Sequence, residues 1–181
     1  PDMKEPLIQA ISQHLRNQQE DGIRSLYVYS QLTLSIATQE AAYATNATPE
    51  KFWAKWQEKF TSDDEERNYK INLQELKNKP LSVSVKEQLF TDRFKYVRQY
   101  FDALEQEEIL PTEQDNYLFG LCRPERLMDI VFNFVLFDNG DKKVARYQQF
   151  FAIKKSMQRI RNVEHGKRKG GVIWHTQGSG K

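Results

Sequence analysis

The 181-residue chain has one cysteine, Cys122, so no internal disulfide can form. Its three histidines, His14, His165 and His175, are not spaced with it or with one another as metal ligands, which argues against a structural zinc site. Long apolar runs are also missing. The longest stretch, residues 130–137, is interrupted by Asn133 and falls far short of the ~20 residues that span a bilayer, so no membrane segment is expected. The chain opens on Pro1 with no methionine and no basic-then-apolar leader, and it is expected to begin mid-protein or after processing, without a signal peptide. Glycine (8) and proline (6) are sparse while 39% of residues are hydrophobic and 12% aromatic, which excludes a disordered tail. Together these absences point to a foldable chain in a reducing, cytoplasmic setting.

Net charge is nearly absent too, at +2, but the balance hides a division. Residues 1–141 carry 16 Lys/Arg against 24 Asp/Glu, net −8, whereas residues 142–181 carry 11 Lys/Arg against Glu164 alone, net +10. A basic end of this kind can meet nucleic acid or nucleotide phosphates by Coulomb attraction, or simply form a solvated helix face.

Local patterning predicts a mixed, helix-rich α/β chain. Leu7, Ile8, Ile11 and Leu15 recur at helical spacing, giving an amphipathic helix from Glu5 to about Gln19 that ends at Asp21-Gly22. Leu32 to Ile36 and Ala41 to Ala44 read as two strands. Thr48-Pro49-Glu50 supplies an N-cap, a first-turn proline and an acid, so a helix is expected there, with Phe52, Trp53, Trp56 and Phe60 as a core-facing aromatic stripe. The acidic run 61–67 lacks apolar periodicity and reads as an interdomain linker. Helices broken near Thr91-Asp92 and at Pro111 follow, then one from Pro124, then a buried strand Phe134 to Phe137 stopped by Asn139-Gly140. A basic amphipathic helix runs from about Val144 through Ile160, followed by a loop at residues 167–171 and a short buried strand at 172–174.

The pattern richest in chemistry is Val172-Ile173-Trp174-His175-Thr176-Gln177-Gly178-Ser179-Gly180-Lys181, a strand running into a phosphate loop. Glycines let backbone amides curl around a phosphate, and the lysine ammonium reaches the β- and γ-phosphates. His175 stands where a small residue is usual, and the Ser/Thr that would hold Mg²⁺ is not reached by Lys181. Upstream, the amide of Gln149 can donate to and accept from the N7/N6 edge of adenine. Thr176, Gly178, Ser179, Gly180, Lys181 and Gln149 are therefore the candidate nucleotide-binding residues.

The segments Lys142 to Lys155 and Gly170 to Lys181 resemble the entry to the motor core of superfamily 2 helicases, and more closely the R subunit of type I restriction enzymes. Residues 10–18, Tyr29-Ser30-Gln31-Leu32 and 48–53 are similar to the end of that family's nuclease domain. The resemblance implies three parts: residues 1–60 as the end of a PD-(D/E)xK-like nuclease domain, 61–141 as a mainly helical connecting region, and 142–181 as the start of a RecA-like motor domain. It implies ATP and Mg²⁺ as cofactors of the intact protein, double-stranded DNA as substrate, methylation and specificity subunits as partners, and a bacterial or archaeal cytoplasm. Gln13 matches the family's accessory nuclease glutamine, although Asn17 stands where its tyrosine would be. The nuclease carboxylates are expected upstream of residue 1. Glu75-Leu76-Lys77 mimics their Glu-x-Lys pattern without a strand around it, so the segment by itself is expected to be inactive. No histidine is assigned a catalytic role, and His14 reads as solvated or capping.

Two other readings fit the residues. One is a different superfamily 2 ATPase with an unrelated N-terminal domain. The other is a nonenzymatic interaction module with an acidic front, a basic end and a glycine-rich tail.

Overall fold

The first helix, α1 (Pro6–Asn17), turns Leu7 and Ile11 onto Ala42, with Leu15 and Trp53 packed beside them. The computed structural model describes residues 4–168 and 170–174. After α1 the chain reverses through Gly22, where a Cβ would lie 2.5 Å from the Asn17 carbonyl oxygen, so only glycine fits the turn. A short helix, α2 (Arg24–Val28), leads to an antiparallel pair, β1 (Thr33–Ile36) and β2 (Ala41–Ala44), with Thr33 opposite Ala44 and Ile36 opposite Ala41. All four β2 residues are buried because both faces of the strand are covered: Ala42 meets α1, while Ala41 and Tyr43 enter the main core.

The helix expected from Pro49 is a correction. Only Glu50–Phe52 forms a single 3₁₀ turn, and the chain then runs extended, with Ala54 bridged to Tyr43 by two backbone hydrogen bonds of 2.8 and 2.9 Å. Burial from Ala54 to Phe60 alternates residue by residue, the period of a strand. Trp56 lies on the extended run beside β2 and is buried, whereas Phe52 belongs to the 3₁₀ turn and is exposed; the four-residue spacing fits either period, and the hydrogen-bonding edge of β2 selected the extended one.

The acidic run is also corrected: it is a helix start, not a linker. Ser62 caps α3 (Asp63–Lys77) by accepting the Glu65 N–H, and Asp63 to Glu66 occupy the first turn, where the helix dipole favours negative charge. Beyond it lie α4 (Val83–Leu89), a 3₁₀ segment (Asp92–Val97) and α5 (Arg98–Leu104), clipped together where the Lys86 ammonium reaches Asp102 and Glu105, each at 2.6 Å. Thr112 and Asp115 form a capping box at the start of α6 (Glu113–Cys122), and Pro124 opens α7 (Pro124–Asn133).

The expected buried strand at 134–137 is a hairpin arm instead. β3 (Val135–Asp138) pairs with β4 (Asp141–Val144) around the Asn139-Gly140 turn, where both residues have positive φ. Phe134 is buried, but Leu136 and Phe137 are exposed, since nothing among the described residues covers the outer face of this two-stranded ribbon. Helix α8 (Tyr147–Arg161) follows, then β5 (Val163–Glu164) and β6 (Lys167–Arg168), a small hairpin that replaces the loop expected at 167–171. Residues 172–174 form no strand and are exposed, with Trp174 90% accessible, because no neighbouring strand among the described residues pairs with them.

One core gathers Ala41, Tyr43, Trp56, Tyr117, Leu121, Ile130, Phe134 and Phe150. Residues from 1–60, 61–141 and 142–181 thus meet in a single cluster. Its centre is aromatic: the Phe134 and Phe150 ring centroids are 4.4 Å apart, and Trp56 stands edge-on to Phe150 at 5.4 Å. The described residues form a mixed, helix-rich α/β structure with three two-stranded sheets. No helix among them is long and apolar enough to cross a membrane.

Candidate functional site

Helix α8 is positioned by the chain just before it. The Tyr43 hydroxyl donates to the Ala145 carbonyl oxygen at 2.8 Å, and the Ala145 N–H donates to Phe134 O at 2.9 Å. Thr45 Oγ1 donates to the Lys142 carbonyl oxygen. Lys142 Nζ donates to Ser30 O at 3.1 Å and Gln31 Oε1 at 2.7 Å, and partial burial lowers its affinity for the proton. The β3–β4 hairpin and the start of α8 are therefore bolted to the loops that flank the β1–β2 pair.

Between these parts lies a cleft of about 1440 Å³. Its walls are the loop after β2, the inner side of the β3–β4 hairpin, and the face of α8 bearing Gln149, Ile153 and Met157, with Ile173 and Trp174 at one rim. Arg159 Nε donates to Gly170 O at 3.0 Å, which runs the chain back along α8 to that rim. The lining is mostly apolar with a few polar groups, Asn46, Arg146 and Gln149 among them, the usual make-up of a small-molecule site.

Gln149, the third residue of α8, lines this cleft, and its Oε1 accepts the Arg146 N–H at 2.9 Å, closing the first turn of the helix. Its neighbour Gln148 was not singled out by sequence reasoning. The Gln148 Oε1 is buried with no hydrogen-bond partner among the described residues, as are Thr33 Oγ1 and Asn46 Oδ1. The adjacent second glutamine was the available signal. Gln13 sits on an exposed face of α1 and does not line the cleft, while Asn17 ends that helix and accepts the Ile23 N–H at 2.8 Å through its carbonyl. Thr176, Gly178, Ser179, Gly180 and Lys181, with His175, lie outside the described residues.

The histidine reading needs one correction. His14 is neither solvated nor a cap: Nδ1 lies 2.8 Å from the Tyr27 hydroxyl, Nε2 lies 3.1 Å from Leu34 O, and the ring stacks on Trp53 at 5.7 Å. It pins α1 to β1. His165 has φ 52° beside Gly166 in the β5–β6 turn. Glu75, Leu76 and Lys77 lie in the last turns of α3, not on a strand. No group of three or more His, Cys, Asp or Glu among the described residues could hold a metal ion.

Sequence reasoning also missed Arg126. Its guanidinium lies 2.9 Å from Glu58 Oε1 and is surrounded by the rings of Trp56, Phe150 and Phe151 at 5.2, 4.8 and 5.3 Å. This cluster fixes the base of α8, and no local signal reveals a pair 68 residues apart in sequence.

The family model described as SWI2/SNF2 ATPase matches residues 148–181, starting in the first turn of α8. The type I restriction enzyme HindI endonuclease subunit of Haemophilus influenzae is 36% identical over 97 residues, covering 50% of this chain and 8% of that protein. Two putative type I restriction enzyme endonuclease subunits of Methanocaldococcus jannaschii are also similar. MjaVIIIP is 34% identical over 97 residues, 50% of this chain and 9% of its own length. MjaIXP is 37% identical over 75 residues, 39% of this chain and 7% of its own length. The matched part of this chain thus covers only 7–9% of those relatives. No solved structure matches the chain.

Proposed function

We propose that this chain, whose sequence matches a fragment of a type I restriction enzyme endonuclease subunit, links a nuclease domain to an ATP-driven DNA motor. In this reading residues 1–60 end the nuclease domain, 61–141 connect, and 142–181 open the first RecA-like motor domain. The intact protein would translocate and cleave double-stranded DNA in the cytoplasm, assembled with methylation and specificity subunits. The segment alone would be inactive, because the nuclease carboxylates and the rest of the motor lie elsewhere.

The observation that carries the reading is the coincidence of the SWI2/SNF2 match with α8: the matched segment starts at Gln148, takes in Gln149 in the cleft wall, and ends at Lys181. The residues fit an adenine nucleotide. Gln149, which lines the cleft, offers an amide already oriented by Arg146, and the amide oxygen of the adjacent Gln148 is buried with no hydrogen-bond partner among the described residues. Gly178, Ser179, Gly180 and Lys181 would hold the phosphates, with Thr176 at the loop entrance. When bound, ATP with Mg²⁺ supplies the free energy for moving DNA. Gln13 would sit beside the nuclease centre as a positioning residue.

The test is ATP hydrolysis stimulated by duplex DNA, measured on the whole polypeptide that contains this segment. Lys181→Ala is expected to reduce it at least a hundredfold while DNA binding persists. Full activity in that variant, or no ATP binding by the parent, would refute the reading.

A further inference from the structure

The positive charge of residues 142–181 does not spread evenly over the structure. Lys142 is spent on Ser30 and Gln31, Lys143 pairs with Asp138 at 2.5 Å, and Lys154 pairs with Asp129 at 2.8 Å. Lys155 lies within electrostatic reach of Glu65. Among the other described cations Arg146 stands at the start of α8, and the remaining four lie together at its far end. Beyond Phe150 and Phe151, α8 leaves the core, and every residue of its last two turns except the half-buried Ser156 is exposed. The β5–β6 hairpin packs against that end, held by Arg159 Nε on Gly170 O at 3.0 Å. Arg159, Arg161, Lys167 and Arg168 are all exposed on this projection, and its one carboxylate, Glu164, stands opposite Lys167 in the hairpin register.

We propose that this projection, the end of α8 with the β5–β6 hairpin, is a sequence-independent docking surface for the phosphate backbone of double-stranded DNA. The inference rests on the reading above and adds the surface and the residues by which this segment would touch DNA. The argument is charge complementarity at matching spacing. Duplex DNA carries a charge every ~1.7 Å of axis, so the ~12 Å spanned by two helical turns and the adjoining hairpin faces about seven phosphates. The four cations sit on long side chains, two on the end of α8 and two on strand β6 of the adjoining hairpin. Such a surface supplies affinity and register without sequence preference.

The experiment is fluorescence anisotropy of a 30-base-pair duplex titrated with the 181-residue chain at salt concentrations between 50 and 200 mM. Three variants accompany it. Arg161→Gln, Lys167→Gln and Arg168→Gln are combined in one chain, leaving Arg159 and its tether to Gly170 intact. The combined R161K and R168K variant keeps the charge. Lys79→Gln removes a distant exposed cation. Each lost phosphate contact lowers the slope of log affinity against log salt by about 0.9, so the triple variant should be shallower by about 2.7, roughly a 40-fold difference across that salt range. The lysine variant and Lys79→Gln should keep the parental slope. Circular dichroism of the triple variant should match the parent, since all three side chains are exposed.

An unchanged slope in the triple variant overturns the inference and leaves the motor reading standing, with DNA held elsewhere. Failure of the parent to bind duplex at 50 mM salt overturns it as well, and the separate ATP hydrolysis assay then decides the motor reading on its own. Equal affinity for polyaspartate would show an acidic protein surface as the occupant and overturn the assignment to DNA.

Discussion

The Tyr43 hydroxyl donates to the Ala145 carbonyl oxygen at 2.8 Å, joining the centre of β2 to the residue two before α8 across 102 positions of sequence. The ring of Tyr43 is fully buried, and burial pushes its hydroxyl well above the usual tyrosine range. Tyr43→Phe should therefore cost about 1–2 kcal/mol at neutral pH in urea unfolding, because the Ala145 oxygen loses its partner.

The same hydroxyl gives a pH dependence. Its folded-state pKa lies above the unfolded value near 10, so its contribution is complete below pH 10 and is lost as pH rises beyond it. Stability should fall above pH 10 with a slope approaching about 1.4 kcal/mol per pH unit from this residue, and Tyr43→Phe should flatten that slope. Tyr69, pushed up to about 12 by burial and by the Glu58 carboxylate, contributes in the same direction. Urea melts between pH 9 and 11 would check the sign; an equal decline in Tyr43→Phe would rule out the assignment.

Arg126 and Glu58 form a well-buried ion pair inside an aromatic box. Arg126→Ala leaves the Glu58 carboxylate with only the Trp56 N–H at 2.9 Å and the more distant Arg123 at 3.7 Å, and should cost about 2–4 kcal/mol, whereas the double change Arg126→Met with Glu58→Gln should cost clearly less. Thermal unfolding of the two variants side by side distinguishes a stranded charge from lost packing.

At Gly22 an alanine Cβ would press on backbone, the Asn17 carbonyl oxygen at 2.5 Å, while at Gly120 it would meet side-chain atoms of Trp56 and Glu58 at 3.0 Å. Gly22→Ala should be the more damaging, at about 2–3 kcal/mol, because backbone cannot step aside as a side chain can. Denaturant midpoints of the two variants give the ranking.

If residues 63–66 are the capped first turn of α3, a glutamate-specific protease should cut after Glu65 and Glu66 more slowly than after Glu20, which lies in an exposed turn. Ser62→Ala should speed cutting at Glu65 and Glu66 and cost about 1 kcal/mol. Equal cutting at all three positions would restore a flexible linker.

Gln148→Ala and Gln149→Ala should each weaken ATP binding by the whole polypeptide about tenfold while sparing GTP, since one lost adenine hydrogen bond is worth about 1–1.5 kcal/mol. Nucleotide titrations with both bases would show whether either amide reads adenine; parallel losses for ATP and GTP would point to a purely structural role.

Local chemistry was enough for several elements. The apolar spacing of α1, Pro124 at the start of α7 and the aromatic-basic alternation of α8 each name their own helix, because caps and periodicity act within one or two turns. Asn139-Gly140 named its turn but not its consequence, since a turn signal cannot say whether the strand before it is buried or one arm of an exposed ribbon.

Trp56 shows where local reading ends. Phe52, Trp56 and Phe60 are four residues apart, a spacing that suits a helix and a strand equally, and only the free edge of β2 at Tyr43 selected the extended form. Asp63 to Glu66 looked like solvated linker because their stabilising partner is a backbone dipole that exists only once Ser62 has capped the helix.

By itself the sequence determined the class of the chain: a mixed, helix-rich α/β protein with a basic end, a glycine-rich phosphate-loop pattern and a resemblance that the relatives bear out. Tertiary structure alone decided which residues meet. It brought Tyr43 to Ala145, Glu58 to Arg126 and Phe134 to Phe150, set Gln149 in the wall of a cleft, and gathered four cations on the projecting end of α8. The physical reason is range. Caps, dipoles and periodicity work over a few residues and are written where they act, whereas burial and ion pairing depend on partners 16 to 102 residues away that only the folded chain supplies.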